Sequence, residues 1–300
     1  MQKFFLLQLI TFLAAFLLFQ IELIVAKLIL PHYGGSYLVW GACVVFFQAF
    51  LVLGYWYSHV VGKKISIAYV TRYHLILLLI PLLSFPGRPL VIEPTQPSWP
   101  LAMGVFWELF RTIGLVFFVL STISIITQNW LAASQLPQRF NPYSLYAYSN
   151  FGSLAALLSY PFLFEYFFNL DVQLKFWRWG YFLLIAIYAV ACGVIQGQRQ
   201  DKVTADKRRA IPGVDILRWL LLGAAGVMLF LAVTNMITLE IAPIPLFWVI
   251  TLSIYLVTFI LNFKEKSWCP AWISKKVHLL LGLSVLLFFF FLSTYTPHPY

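Results

Sequence analysis

Charge is what this sequence has least of. Its 300 residues include ten Asp and Glu, and charged side chains of both signs make up 10% of the chain. Soluble domains carry roughly 25%. So low a content excludes an ordinary water-solvated surface. Cysteine is also sparse. Cys43, Cys192 and Cys269 lie far apart, form no CxxC pair, and exclude a disulfide framework or a thiolate metal cluster. No Walker loop, GxSxG elbow or GxGxxG turn after a strand is present. No His, Cys and carboxylate spacing marks a metal site. The sequence therefore predicts no catalytic residues, no cofactor and no bound metal.

What is present instead is apolar length. Hydrophobic residues make up 62% of the chain. They fall in runs of about twenty, enough to cross a hydrocarbon core of about 30 Å. Nine such segments stand out, at about 4–30, 38–61, 68–85, 104–127, 143–168, 177–196, 217–238, 244–263 and 276–294. The fold class predicted is all-α, a polytopic transmembrane helix bundle of about nine spans. Residues 1–300 read as a single membrane domain. The basic loop 197–216 divides it into halves 1–196 and 217–300. Residues 4–30 are too long and too continuously apolar for a cleavable signal, so they are expected to remain as the first span.

A net charge of +10 belongs in that membrane frame. Fifteen Lys and Arg fall on the side that holds the N-terminus, against four on the other, with Lys27 inside a span. The positive-inside rule then places the N-terminus in the cytoplasm, and the location expected is a bacterial inner membrane. The partner implied is the lipid bilayer, and nucleic acid is not expected. The eleven tryptophans fall at or near expected span ends, where indole prefers the headgroup zone.

Within this apolar background a few polar residues need a reason. A charge at membrane depth costs about 2.5–3.5 kcal/mol on insertion scales. Glu22 lies well inside the first span, and either bonds to another helix or serves in binding or proton transfer. Lys27 is five residues on, its side chain turned about 140° from Glu22, and near enough to the outer end to snorkel. Glu165 and Glu240 lie toward the same outer side, and with Glu22 they are candidates to line an acidic cavity. Asn150 and Asn235 add amides to the fifth and seventh spans. Asn150 is expected to bond across an interface that Gly152, Ser153 and Ala156 make close, Gly152 and Ala156 being a small-xxx-small pair. Pro31, Gly34 and Gly35 are expected to form the outer turn into the second span. Glu108 and Arg111, one turn apart, read as an interfacial pair. His59, His74 and His278 are placed near membrane edges.

One pattern goes further. Glu22, Lys27, Pro31, Gly34, Gly35, Ser36 and Trp40, continuing into CVVFFQAFLVLGYWYSH, resemble the N-terminal membrane region of spermidine-synthase-like membrane proteins, often described as fused major-facilitator/spermidine-synthase proteins. NPYSLYAYSNFGSLAALLSYPFLFE and VTNMITLEIAPIPLFWVITLSIYLVTFIL resemble two later blocks of that family in the same order. Larger members continue into a soluble domain resembling polyamine aminopropyltransferases. Its glycine loop and acidic catalytic residues are not found in these 300 residues. The resemblance thus implies a membrane module alone. Two functions are expected from it. One is binding or transport of a small cationic solute through Glu22, Asn150, Glu165, Asn235 and Glu240. The other is a non-transporting anchor or scaffold for a separate soluble aminopropyltransferase-like partner or a membrane complex.

Overall fold

The structure is a computed structural model that describes residues 2–83, 100–195, 212–240, 245–264 and 275–295, with positions 268 and 272 between the last two. For Tyr37, Ala68, 235–240, 245–248, 287–288 and 291–295 it describes the backbone alone. Every regular element among these residues is helical. Helix α1 spans Gln2–Tyr33 and α2 spans Tyr37–Lys64. Helix α3 spans Ile67–Leu79 and ends in a 3-10 turn, Ile80–Leu83. Helix α4 (Leu101–Leu109) runs through a π-turn at Phe110–Gly114 into α5 (Leu115–Ala132). Helix α6 (Ser144–Ser159) passes through a second π-turn at Tyr160–Phe164 into the short α7 (Glu165–Phe167). Then follow α8 (Leu170–Ile195), α9 (Gly213–Glu240), α10 (Pro245–Phe263) and α11 (Val277–Tyr295).

These rods follow the apolar segments of the sequence in order. Among the described residues, five are long and apolar enough to cross a membrane: α1, α2, the α4–α5 rod, α8 and α9. Shorter apolar helical stretches lie at Tyr69–Leu83, Val249–Phe263 and Val277–Leu286. The α6 rod is more polar, carrying Tyr146, Tyr148, Ser149, Asn150 and Ser153. It lies between α1 and α10 and packs on both.

Helix α1 is the central post. It packs against α6, α8 and α5, with fewer contacts to α2. Its registers can be read from single contacts. Thr11 Oγ1 lies 2.9 Å from Thr127 Oγ1 where α1 meets α5; α5 runs in the same direction as α2, Gly54 against Ser121 and Gly62 against Asn129, and so antiparallel to α1 across the Gly34 turn. A Cβ added to Gly152 would collide with the carbonyl oxygen of Phe12, so α1 and α6, which run parallel, touch backbone to backbone there. Trp177 Nε1 donates to Leu17 O at 2.7 Å, and a Cβ on Gly180 would meet Leu17 Cδ2 at 2.8 Å, fixing α8 antiparallel to α1. Helices α2 and α5 close up where Gly54 meets Ser121. Without a hydrophobic driving force between helices in lipid, small residues that admit such approach are a main source of packing.

Several sequence expectations change here. Pro31 does not end α1. It sits in the last turn, where losing one N–H is tolerated because few bonds remain to be made. The stop is Gly34, at φ 75°, whose N–H bonds to Leu30 O at 2.9 Å. Arg178, one of the four basic residues expected on the outer side, is not at the start of its helix. Helix α8 begins at Leu170, so Arg178 lies about 12 Å along it, half-buried. Trp177 beside it is buried against the middle of α1 rather than placed at a membrane surface. The third segment forms a helix up to Leu79, and Pro81 falls in the 3-10 turn.

Candidate functional site

The polar residues of the bundle fall into three groups. The first is around Glu22. Eleven residues separate it from Thr11, close to three full turns, so Glu22 returns to the face that meets α5, about 16 Å further along α1. It is also eleven residues from the helix end at Tyr33, about 16 Å again. The side chain is half-buried, and no hydrogen bond or ion pair to it occurs among the described residues.

Both π-turns come to this level. Counting from the Thr11–Thr127 contact places Glu22 opposite Val116, just inward of Phe110–Gly114. Counting in parallel from Phe12–Gly152 places it level with Phe162, inside Tyr160–Phe164. Pro161 explains the second: its ring cannot follow the preceding carbonyl in a tight α turn, and the backbone widens. π-Turns are frequent at functional sites because they offset side chains from the regular ladder.

The second group is toward the C-terminal end of α1. Lys27 Nζ bonds to Glu165 Oε1 at 3.0 Å, joining α1 to the start of α7. Lys27 thus has a partner rather than only a route to water. Both side chains remain about half exposed, so the pair links helix ends more than it stabilises the interior. Glu165 is engaged by Lys27, which lies five residues along α1 from Glu22. Nearby, Glu108 of α4 is 1% exposed and accepts from Arg111 Nη2 at 2.8 Å and Thr112 Oγ1 at 3.3 Å. The expected Glu108–Arg111 pair forms, but its carboxylate is buried in the bundle rather than at an interface.

The third group is amides and aromatics. Asn150 is buried and its Nδ2 donates to Tyr146 O of its own helix at 2.7 Å, not across an interface. Gly152 forms the close contact with α1; Ser153 bonds back to Ser149 O, and Ala156 is fully buried. Asn150 lies fifteen residues before Glu165, about 22 Å along the rod, so the two belong to different levels. The side chains of Asn235 and Glu240 lie outside the described residues. Thr234, the residue before Asn235, donates to Phe230 O and lies 3.1 Å from Thr251 Oγ1 of α10.

Two features went unseen in the sequence. His74 is buried in the bundle, its Nε2 3.1 Å from Thr122 Oγ1 and its ring centroid 5.7 Å from that of Tyr188. Gln20 and Gln173, unremarkable in a helical pattern, are both buried in the bundle. Comparison with protein-family models, curated proteins and solved structures finds no match to the chain.

Proposed function

We propose that this chain is a nine-span integral membrane module, N-terminus in the cytoplasm of a bacterial cell, that binds a small cationic solute at Glu22. The observation carrying this reading is the Glu22 carboxyl: far from both ends of α1, half-buried, and without a protein partner among the described residues. An ionisable group at membrane depth is costly unless a partner compensates it, and a cation is the complementary partner for a carboxylate. The π-turns on α4–α5 and α6 at the same level supply backbone irregularity beside it. The Lys27–Glu165 pair lies outward of this position. Asn235 and Glu240 of α9 are the further residues to test for a part in the path.

The resemblance to spermidine-synthase-like membrane proteins makes polyamines the first solutes to try. Purified protein in proteoliposomes, offered a polyamine panel, should take up or bind at least one, and Glu22→Gln should remove that binding while the protein stays folded. Equal binding by wild type and Glu22→Gln would end this reading.

A second reading rests on another observation. The described residues of α9 and α11 present long apolar faces, including Leu220, Leu222, Met228, Leu281 and Leu286, that the bundle leaves uncovered. That surface favours an anchor or scaffold in which these helices meet lipid or another membrane protein. Absence of uptake, with stable co-purification of an aminopropyltransferase-like protein, would favour it.

A further inference from the structure

The junction of α1, α6 and α8 contains a second polar layer that Glu22 plays no part in. Four buried side-chain atoms there have no hydrogen-bond partner among the described residues: Gln20 Nε2, Gln20 Oε1, Tyr160 Oη and Gln173 Oε1. Gln20 is 2% exposed, Gln173 1% and Tyr160 6%.

The helix registers place the three residues at one level. Gln20 and Tyr160 each lie eight residues outward of the Phe12–Gly152 contact between parallel helices. Tyr160 continues the Gly152–Ala156 ridge and packs in the same core as α1 and α8. Gln20 lies three residues outward of Leu17, and Gln173 four residues outward of Trp177, across the Leu17–Trp177 hydrogen bond. The direction of Gln20 follows from its neighbours. One turn below it Phe16 touches Phe164 of the α6 rod, and Leu17 touches α8, so position 20 faces the groove between them.

The chemistry of the layer is fixed by what is already bonded. Gln173 Nε2 donates to Phe164 O at 3.1 Å and Phe168 O at 2.8 Å. Both amide hydrogens are engaged, and Oε1 remains a pure acceptor. Gln20 offers two donors and an acceptor, and Tyr160 a hydroxyl that does either. Leaving a buried polar group unpaired costs about 1–3 kcal/mol, and more than one is rarely kept together without a bridge. No two of these groups bond each other, so the bridge has to be a molecule small enough to fit among them and able to donate and accept.

We propose that the α1–α6–α8 junction is an internal water-binding site, with water bridging Gln20, Tyr160 and Gln173 about 10 Å inward of the Lys27–Glu165 pair. It is independent of the cation reading at Glu22 and survives if that reading fails.

Radiolytic hydroxyl labelling tests it, because radicals generated from bound water modify buried side chains beside that water. Tyr181 is the internal control: it is buried too, 1% exposed against 6% for Tyr160, but its hydroxyl donates to Leu78 O at 2.9 Å. In the wild-type protein, Tyr160 is expected to be labelled several-fold faster than Tyr181. Gln20→Leu is expected to reduce labelling at Tyr160 and leave Tyr181 unchanged. Tyr160 as protected as Tyr181 in wild type would overturn the proposal. So would strong labelling that Gln20→Leu does not alter, since the water would then lie elsewhere. If Gln20→Leu fails to fold, the wild-type comparison decides alone.

Discussion

The carbonyl oxygen of Phe12 and the α-carbon of Gly152 meet so closely that only hydrogen fits between them. The approach is backbone against backbone. Neither side can rotate away. Gly152→Ala is therefore expected to push α1 from α6 and to cost about 1–3 kcal/mol, the usual range for overpacking. Thermal unfolding in detergent should show a clear fall in Tm. An unchanged Tm would mean that α1 and α6 do not touch there.

Gly54 gives a graded version of the same experiment. An added Cβ would meet the Ser121 side chain, with Ser121 Cβ 3.0 Å away and the hydroxyl nearer. Gly54→Ala should destabilise, and Ser121→Ala should relieve part of that loss by removing the nearer atom. The double variant is expected to be more stable than Gly54→Ala alone. Equal stabilities would place the strain somewhere other than this contact.

Lys27 and Glu165 form a half-exposed pair, so their separate loss should be small, up to about 1 kcal/mol. The informative variant is the exchange. Lys27→Glu alone places two acids together and is expected to destabilise more than Lys27→Ala. Adding Glu165→Lys should restore most of the loss. A double-mutant cycle with no coupling would mean that the two charges do not meet.

The neutral ring of His74 should carry its proton on Nε2. Thr122 has one hydroxyl hydrogen, and its oxygen lies 2.6 Å from Val119 O, so that hydrogen is already donated. The 3.1 Å contact then requires the imidazole to donate. Nitrogen-15 NMR of labelled histidine reads the tautomer directly. Protonation at Nδ1 instead would show that Thr122 donates to the ring.

Much of the architecture was readable because the apolar runs are long and the breaks between them sharp. Gly152 and Ala156 announced a close helix face, and Gly34 a turn. The misplacements have a common physical origin. The sequence places the start of the sixth apolar segment at 177, seven residues late, because Asp171, Gln173 and Lys175 look like a polar connection; they form the first turns of α8, where Leu174 and Trp177 are buried. His74 and Gln20 gave no warning because a single polar residue on a helix does not say which neighbour it faces. Lys27 and Glu165 are 138 residues apart, and no local spacing connects them. The level shared by Glu22 and the two π-turns emerges only from interhelix registers, which a lone sequence does not contain.

The parallel pairing of α1 with α6 also has a consequence for how the protein is made. The main neighbour of the first helix is about 140 residues downstream. At about 5–20 residues per second, a ribosome takes roughly 7–30 s to reach it. Throughout that interval α1 exists while Gly152 does not. Shielding Thr11, Gln20 and Glu22 during that wait falls to the helices made before α6, which makes the assembly of this bundle a task of delayed closure.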